Sequence, residues 1–159
     1  MIIMSVQTVR DYLAGFGFQD RIMEFTVSSA TVELAAQAVG VIPARIAKTL
    51  SFMTADGAIL IVAAGDAKID NRKYKDNFFC KAKMLTPDEV IEYIGHPVGG
   101  VCPFALKEGV RVFLDESLKR FDTVYPAAGS PSSAVKLNCE ELFECSQAEK
   151  WIDVCKLPE

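Results

Sequence analysis

Lys48-Thr49-Leu50-Ser51-Phe52-Met53-Thr54-Ala55-Asp56-Gly57-Ala58-Ile59-Leu60-Ile61-Val62-Ala63-Ala64 is the stretch on which the fold turns. Two mainly apolar runs flank Asp56-Gly57, a dipeptide that accepts the positive φ of a tight hairpin turn. Residues 48–54 and 58–64 therefore read as two strands of one hairpin. Lys48 opens the first of them, at the head of an otherwise apolar strand. A lysine in that place either snorkels to solvent or aims its ammonium into a cleft, to bind a phosphate or polarise a carbonyl.

Upstream, Val6, Val9 and Leu13 recur at helical spacing over 5–14, and Gly15 and Gly17 close that helix. Met23, Phe25 and Val27 alternate with Glu24 and Thr26 as in a half-buried strand. Residues 31–39 predict a helix stopped by Gly40, and Pro43 suits the first turn of a short one. Downstream, 70–77 predicts a helix and 81–85 a strand. Thr86-Pro87-Asp88-Glu89 supplies a cap, a proline at the first helical position and the glutamate of a capping box. That helix carries Val90, Ile91 and Ile94 and ends at Gly95. A strand at 110–114, a short helix at 117–120 and strands near 123–125 and 134–137 follow. Asn138 with Glu141 opens another helix, and 151–155 is a last strand or extended tail. Strands and helices mix without regular βαβ alternation, which predicts an α+β (mixed α/β) fold rather than a doubly wound nucleotide fold. No G-x-G-x-x-G or P-loop pattern is present. With no repeat, linker or low-complexity segment, 1–159 reads as a single domain.

Half of the 159 residues are hydrophobic and 24% are charged, a globular profile. No apolar run is long enough to span a membrane. Met1-Ile2-Ile3-Met4 is too short for a signal peptide, and either Met1 or Met4 can serve as the start. A cytoplasmic protein is expected. Cys80, Cys102, Cys139, Cys145 and Cys155 are odd in number and widely spaced, with no C-x-x-C pair. With only one histidine, His96, they make no usual zinc set, so neither metal nor cofactor is expected. The net charge of −4 argues against a general nucleic-acid coat protein, and no DNA partner is expected. A local basic patch nevertheless runs through Lys68, Arg72, Lys73, Lys75, Lys81 and Lys83, diluted by Asp70 and Asp76. It is either a solvated helix face or a footprint for phosphates.

Gly95-His96-Pro97-Val98-Gly99-Gly100-Val101-Cys102-Pro103-Phe104 concentrates glycine and proline beyond what a corner needs. Glycine admits close approach to the main chain, and proline stiffens what glycine loosens. Such a loop can offer free N–H groups to a carbonyl or carboxylate oxygen. A second turn cluster is Gly129-Ser130-Pro131-Ser132-Ser133. A Ser-His-Asp triad would have to use His96, whose backbone Pro97 holds extended. A Cys102–His96 pair is a possible nucleophile, against the plainer reading that Cys102 packs and His96 shapes the loop.

Four stretches, in order, resemble the YbaK/prolyl-tRNA-synthetase-associated editing family of trans-acting aminoacyl-tRNA deacylases. They are Ala35-Ala36 through Ile46-Ala47-Lys48-Thr49-Leu50, then Gly65-Asp66 through Asp70 and Lys73. Gly99-Gly100-Val101-Cys102-Pro103-Phe104 matches the family's G-x-x-x-P loop, and Gly129-Ser130 leads to Val135-Lys136-Leu137. The resemblance covers about residues 5–155. It implies a bent, mixed, barrel-like YbaK-like sheet with helices around it. It also implies hydrolysis of the ester joining a wrong amino acid to the terminal adenosine of tRNA, without metal and with help from the substrate's own groups. The partners implied are the acceptor end of a mischarged tRNA and an aminoacyl-tRNA synthetase.

By that resemblance, Lys48 anchors the terminal nucleotide or orients the ester, and Gly99 and Gly100 place N–H groups against the aminoacyl carbonyl. Val101, Cys102, Pro103 and His96 shape that wall, and Gly129 and Ser130 line the opposite one. Phe25 and Val27 on the early strand, with Cys102, tune pocket size. Separately from the family's motifs, the basic patch from Lys68 to Lys83, with Lys68, Arg72, Lys73 and Lys75, is expected to meet the acceptor stem. Some relatives carry a carboxylate where Ala134 stands and a tyrosine where Val27 stands, so the cysteine-specific subfamily is not indicated. The competing readings are a non-catalytic module that binds aminoacyl-tRNA or a synthetase, a thiol hydrolase using Cys102, and a small-molecule-binding protein.

Overall fold

A computed structural model describes residues 6–97 and 99–158. Met1, Met4, Ser5 and Val98 lie outside the described residues. In chain order the elements are α1 (Val6–Ala14), β1 (Ile22–Glu24), α2 (Val32–Val39), β2 (Ile46–Thr54), β3 (Gly57–Ala64), β4 (Lys68–Ile69) and α3 (Asn71–Phe78). Then come α4 (Pro87–Glu89) with a π-helical turn at Val90–Ile94, β5 (Arg111–Asp115), β6 (Tyr125–Pro126), β7 (Ser133–Val135), α5 (Cys139–Cys145), β8 (Lys150–Ile152) and β9 (Cys155–Lys156). Short 3-10 turns at Gln19–Arg21, Pro43–Arg45 and Glu116–Arg120 join them.

Five strands in the order β6-β2-β3-β5-β8 form a curled sheet that closes half a barrel. β2 and β3 pair antiparallel as the Asp56-Gly57 hairpin, with Lys48 opposite Ala63. The β3–β5, β5–β8 and β2–β6 pairings are parallel. Two-stranded ladders, β1–β7 and β4–β9, complete the mixed α/β fold. β3 is central and sealed on both faces, Ile59 through Ala64 having no solvent exposure. That explains its continuous apolar sequence.

Helices cover the sheet through aromatic contacts. Tyr74 and Phe78 of α3 stack in series from Phe52 to Phe113, with centroid separations of 5.2, 4.8 and 5.1 Å. Val9 and Leu13 of α1 are fully buried, and Tyr12 Oη donates to the Cys145 carbonyl at the end of α5 (2.6 Å). Both capping boxes form, Thr86 with Glu89 and Asn138 with Glu141.

Four local expectations need correction. β1 stops at Glu24, and Val27 is exposed, because from Phe25 onward the chain bonds a loop (Phe25 N–H to the Ser132 carbonyl, 2.8 Å). β2 begins two residues before Lys48, so Lys48 sits inside the strand rather than at its head. Residues 81–85 contribute one bridge, Met84 to Phe52, instead of a strand. The last expected strand is two, β8 and β9, broken at Asp153 and Val154 where the Val154 N–H is diverted to the Asp115 carboxylate.

That carboxylate joins the parts. Asp115 is buried, and its oxygens accept from Ser117 N–H (2.9 Å) and Val154 N–H (2.9 Å). Ser117 Oγ in turn accepts from Ala64 N–H at the end of β3 (3.1 Å). Asp115→Ala leaves two buried donors unpaired and should lower unfolding free energy by about 2–4 kcal/mol, read by urea denaturation.

His96 is fully buried, and its Nε2 donates to the Phe104 carbonyl (2.8 Å) while Nδ1 has no partner among the described residues. Burial lowers its pKa from the ordinary 6.5, against a smaller opposing effect of that hydrogen bond. The unfolded chain takes up the proton that the folded chain refuses. Stability should therefore be full above the unfolded pKa and fall as pH drops below it, by up to about 1.4 kcal/mol per pH unit. Urea unfolding at pH 7.5, 6.5 and 5.5 measures that slope, and His96→Gln should flatten it.

Candidate active site

β2 is paired with β6 only at Ile46 and Ala47, and beyond that edge it next meets the chain at Phe52, bridged to Met84. Between those contacts residues 48–50 carry no strand on that side. Ser51 O and Met53 N–H bond outward across the same edge, to Leu85 N–H (3.2 Å) and Lys83 O (2.9 Å). The alternation of a strand turns the N–H and C=O of Thr49 the same way, into the gap. A cleft of about 400 Å³ occupies it, within the range of small-ligand sites. Its walls are mostly apolar and small-chained, with Ala30, Ala127 and Ala134 among them. The first residues of α2, behind the Thr31 cap, form part of the rim.

Lys48 is the cleft's one charged side chain. It is half-buried, and its ammonium donates to the carbonyls of Ala67 and, at 3.5 Å, Gly65. Those carbonyls belong to the turn after β3, and that turn is clamped. Arg120 grips Asp66 with two bonds (2.6 and 3.1 Å) while its Nε holds the Ser117 carbonyl (2.9 Å). The guanidinium keeps the Asp66 carboxyl below the usual range. Gly65 fits only as glycine, since a Cβ there would lie 2.1 Å from the Pro43 carbonyl oxygen. An ammonium has three protons, so two carbonyl acceptors leave one for a ligand. Burial lowers the Lys48 pKa, with nearby Cys155 and Asp66 opposing that shift.

Two loops meet over the far side. A Cβ on Gly100 would lie 2.9 Å from Ser130 Cα and 3.0 Å from Ser130 N, so the absence of a side chain sets their separation. Ser133 Oγ organises the second loop: it accepts from Ala128 N–H (3.3 Å) and Ser130 N–H (3.3 Å) and donates to the Ser130 carbonyl (3.2 Å). The Pro131 carbonyl accepts from Ser29 N–H at 2.6 Å, tying this loop to the segment that leads into α2. Gly99 and Val101 line the cleft, and neither N–H has a protein acceptor among the described residues.

The expected site residues divide accordingly. Lys48, Gly99 and Val101 line one cleft, with Gly100, Gly129 and Ser130 packed immediately behind it. The Gly100 N–H is taken by the Pro97 carbonyl (3.0 Å), so the free donors are those of its neighbours, Gly99 and Val101. Phe25 and Val27 do not line the cleft. Cys102, Pro103 and His96 are buried in its support. The structure brings the Cys102–His96 pair together, Sγ to Nε2 at 3.6 Å, and encloses it away from solvent. Cys102 has no exposure, desolvation pushes its thiol up to about 12, and the neighbouring His96 Nε2 is turned to Phe104 O. Of the basic patch, Lys73 is bent back to Asp153 (3.0 Å), whereas Lys68, Arg72 and Lys75 are exposed. The reading from sequence missed Thr49, whose Oγ1 is buried without a partner among the described residues, and the Ala30–Thr31 rim. Thr49 was signalled only by adjacency to Lys48. Among the described residues no group of three His, Cys, Asp or Glu is placed to hold a metal ion, and no helix is long and apolar enough to cross a membrane.

Comparison with known proteins bears on this cleft. The chain is 54% identical over 154 residues to the uncharacterised protein YwhH of Bacillus subtilis, covering 96% of this chain and 98% of that one. It is 27% identical over 139 residues to proline–tRNA ligase of Thermosipho melanesiensis, covering 86% of this chain but only 24% of the ligase. A solved structure of a protein proposed to be a trans-editing enzyme for prolyl-tRNA synthetase superposes with a TM-score of 0.86 at 30% identity, covering 95% of this chain and 96% of that one. The sequence model of the aminoacyl-tRNA editing domain matches residues 26–145. The chain belongs to the aminoacyl-tRNA editing domain family.

Proposed function

We propose that this protein is an aminoacyl-tRNA deacylase that acts in trans, in the cytoplasm, on tRNA charged with the wrong amino acid. The observation that carries this reading is Lys48, one half-buried cation in a small apolar cleft, in a chain of this family. Its ammonium anchors the terminal adenosine by its phosphate, with the aminoacyl group in the space bounded by Ala30, Ala127 and Ala134.

An aminoacyl ester is already activated, so positioning and charge stabilisation are what the protein has to supply. Water attacks the ester carbonyl carbon, assisted by the neighbouring ribose hydroxyl. The carbonyl electron pair moves onto oxygen, where the Gly99 and Val101 N–H groups are available to receive it. Collapse of the tetrahedral intermediate breaks the bond to the ribose oxygen, which takes a proton and leaves as a hydroxyl. No protein nucleophile takes part. Small walls limit which aminoacyl groups enter, and a separate site for them has value because binding alone discriminates a missing methylene poorly.

A panel of tRNAs charged with alanine, cysteine, serine or threonine, each corrected for spontaneous hydrolysis, tests this reading. One ester should be lost rapidly with wild type, and Lys48→Ala should slow that loss by about 100-fold or more without changing the far-ultraviolet dichroism. No loss above background across the panel would leave a binding module instead. Cys102→Ala should keep the wild-type rate within about twofold while costing about 1–2 kcal/mol of stability, as a small buried side chain does. A rate collapse in that variant would restore the thiol mechanism.

A further inference from the structure

Phe79 is the most exposed large apolar side chain among the described residues, at 86%. It closes α3 with φ 61° and ψ 21°, in the left-handed region where glycine is the usual residue. A phenylalanine there is held against its backbone preference. Its neighbour Phe78 takes the core position, edge-on to Phe113 at 5.1 Å, so the core gives Phe79 no reason to be aromatic.

It borders a pocket shared with Asp56, Arg111 and Lys150, and lysines flank it along the chain. Lys75 lies one helical turn earlier, and Lys81 and Lys83 follow in the irregular segment after α3. All three are exposed, and none has an ion-pair partner within 4.0 Å among the described residues. The exposed Lys68, Arg72, Lys136, Lys150 and Lys156 are likewise without an ion pair among the described residues, whereas Arg10, Arg21, Arg45, Arg111, Lys119 and Arg120 are paired. The run ends at Met84, itself exposed and part of the cleft wall. Phe79 thus stands at one end of a basic ribbon whose other end is the cleft. Five residues span at most about 18 Å.

An exposed ring set among unpaired lysines is the combination that binds single-stranded nucleic acid, the ring stacking on a base and the cations tracking the phosphates. We infer that Phe79, with Lys75, Lys81 and Lys83, forms a stacking platform for the single-stranded 3′ tail of an RNA whose last nucleotide enters the cleft. The inference rests on the deacylase reading only for which RNA this is. It also moves the centre of the basic footprint from Lys68–Lys75 toward Lys75–Lys83.

Direct binding separates the two claims, because it requires no ester. The probes are uncharged tRNA and a short single-stranded RNA with the tRNA 3′ sequence, followed by fluorescence anisotropy at several salt concentrations. Phe79→Ala should weaken both by about tenfold. Lys81→Gln with Lys83→Gln should lower the slope of log affinity against log salt by about one to two units, and Lys136→Gln, an exposed cation outside the ribbon, should leave it unchanged. Phe79→Gly gives a sharper signature. It relieves the left-handed backbone and should raise Tm by about 2–4 °C while losing the same affinity, so weaker binding cannot be put down to misfolding. Unchanged RNA affinity in Phe79→Ala and in the double lysine variant would overturn the inference. Loss of self-association in Phe79→Ala at unchanged RNA affinity would overturn it in favour of a contact between copies.

Discussion

An unpaired length of strand edge inside a folded protein must be covered, solvated or used. β2 has such a length at residues 48–50, between its pairing with β6 and its bridge to Met84. Everything that defines the cleft is arranged around it. α2 starts at its rim, the Gly99 and Gly129 loops close the far side, and Lys48 stands on the strand itself. Because β3 behind β2 is sealed on both faces, the sheet cannot shift to pair that edge without opening the core.

The position of Lys48 is determined from behind. Its acceptors are carbonyls, whose location depends on the Gly65–Ala67 turn. Arg120 holds that turn through Asp66, Arg120 and Ala64 both bond Ser117, and Ser117 is capped by Asp115. A buried carboxylate at the end of β5 is thereby connected, bond by bond, to a cation on β2. The same carboxylate binds Val154, so the chain's last strands belong to this scaffold as well.

The hairpin, both capping boxes and the Gly95 stop were legible in sequence because each is a local signal with a short-range cause. The pairing of β2 with β6 was not, since no local pattern in Tyr125-Pro126 announces a parallel partner some eighty residues away. Lys48 and the glycine loop could be named from sequence, and the structure brings both to one cleft. The roles within the loop could not. That Gly100 gives its N–H to Pro97 while Gly99 and Val101 keep theirs depends on turn geometry, and that Cys102 is enclosed depends on what surrounds it. Val27 misled because alternation over 23–27 looks the same whether or not a partner strand continues beside it.

The turn at Val90–Ile94 has a consequence of its own. Gly95 N–H reaches back five residues to Val90 O, so this turn holds one residue more than an α-helix would use. Val90 lines the cleft from within it. Each residue of a helix advances the side-chain direction by about 100°. The wider turn absorbs its extra residue, so the chain after it leaves in nearly the direction that a regular α-helical turn one residue shorter would give. The glycine loop begins immediately afterward, so the extra residue widens the wall around Val90 without re-aiming the loop. Losing one residue from this turn would therefore cost a piece of the cleft wall while leaving the loop's direction nearly unchanged.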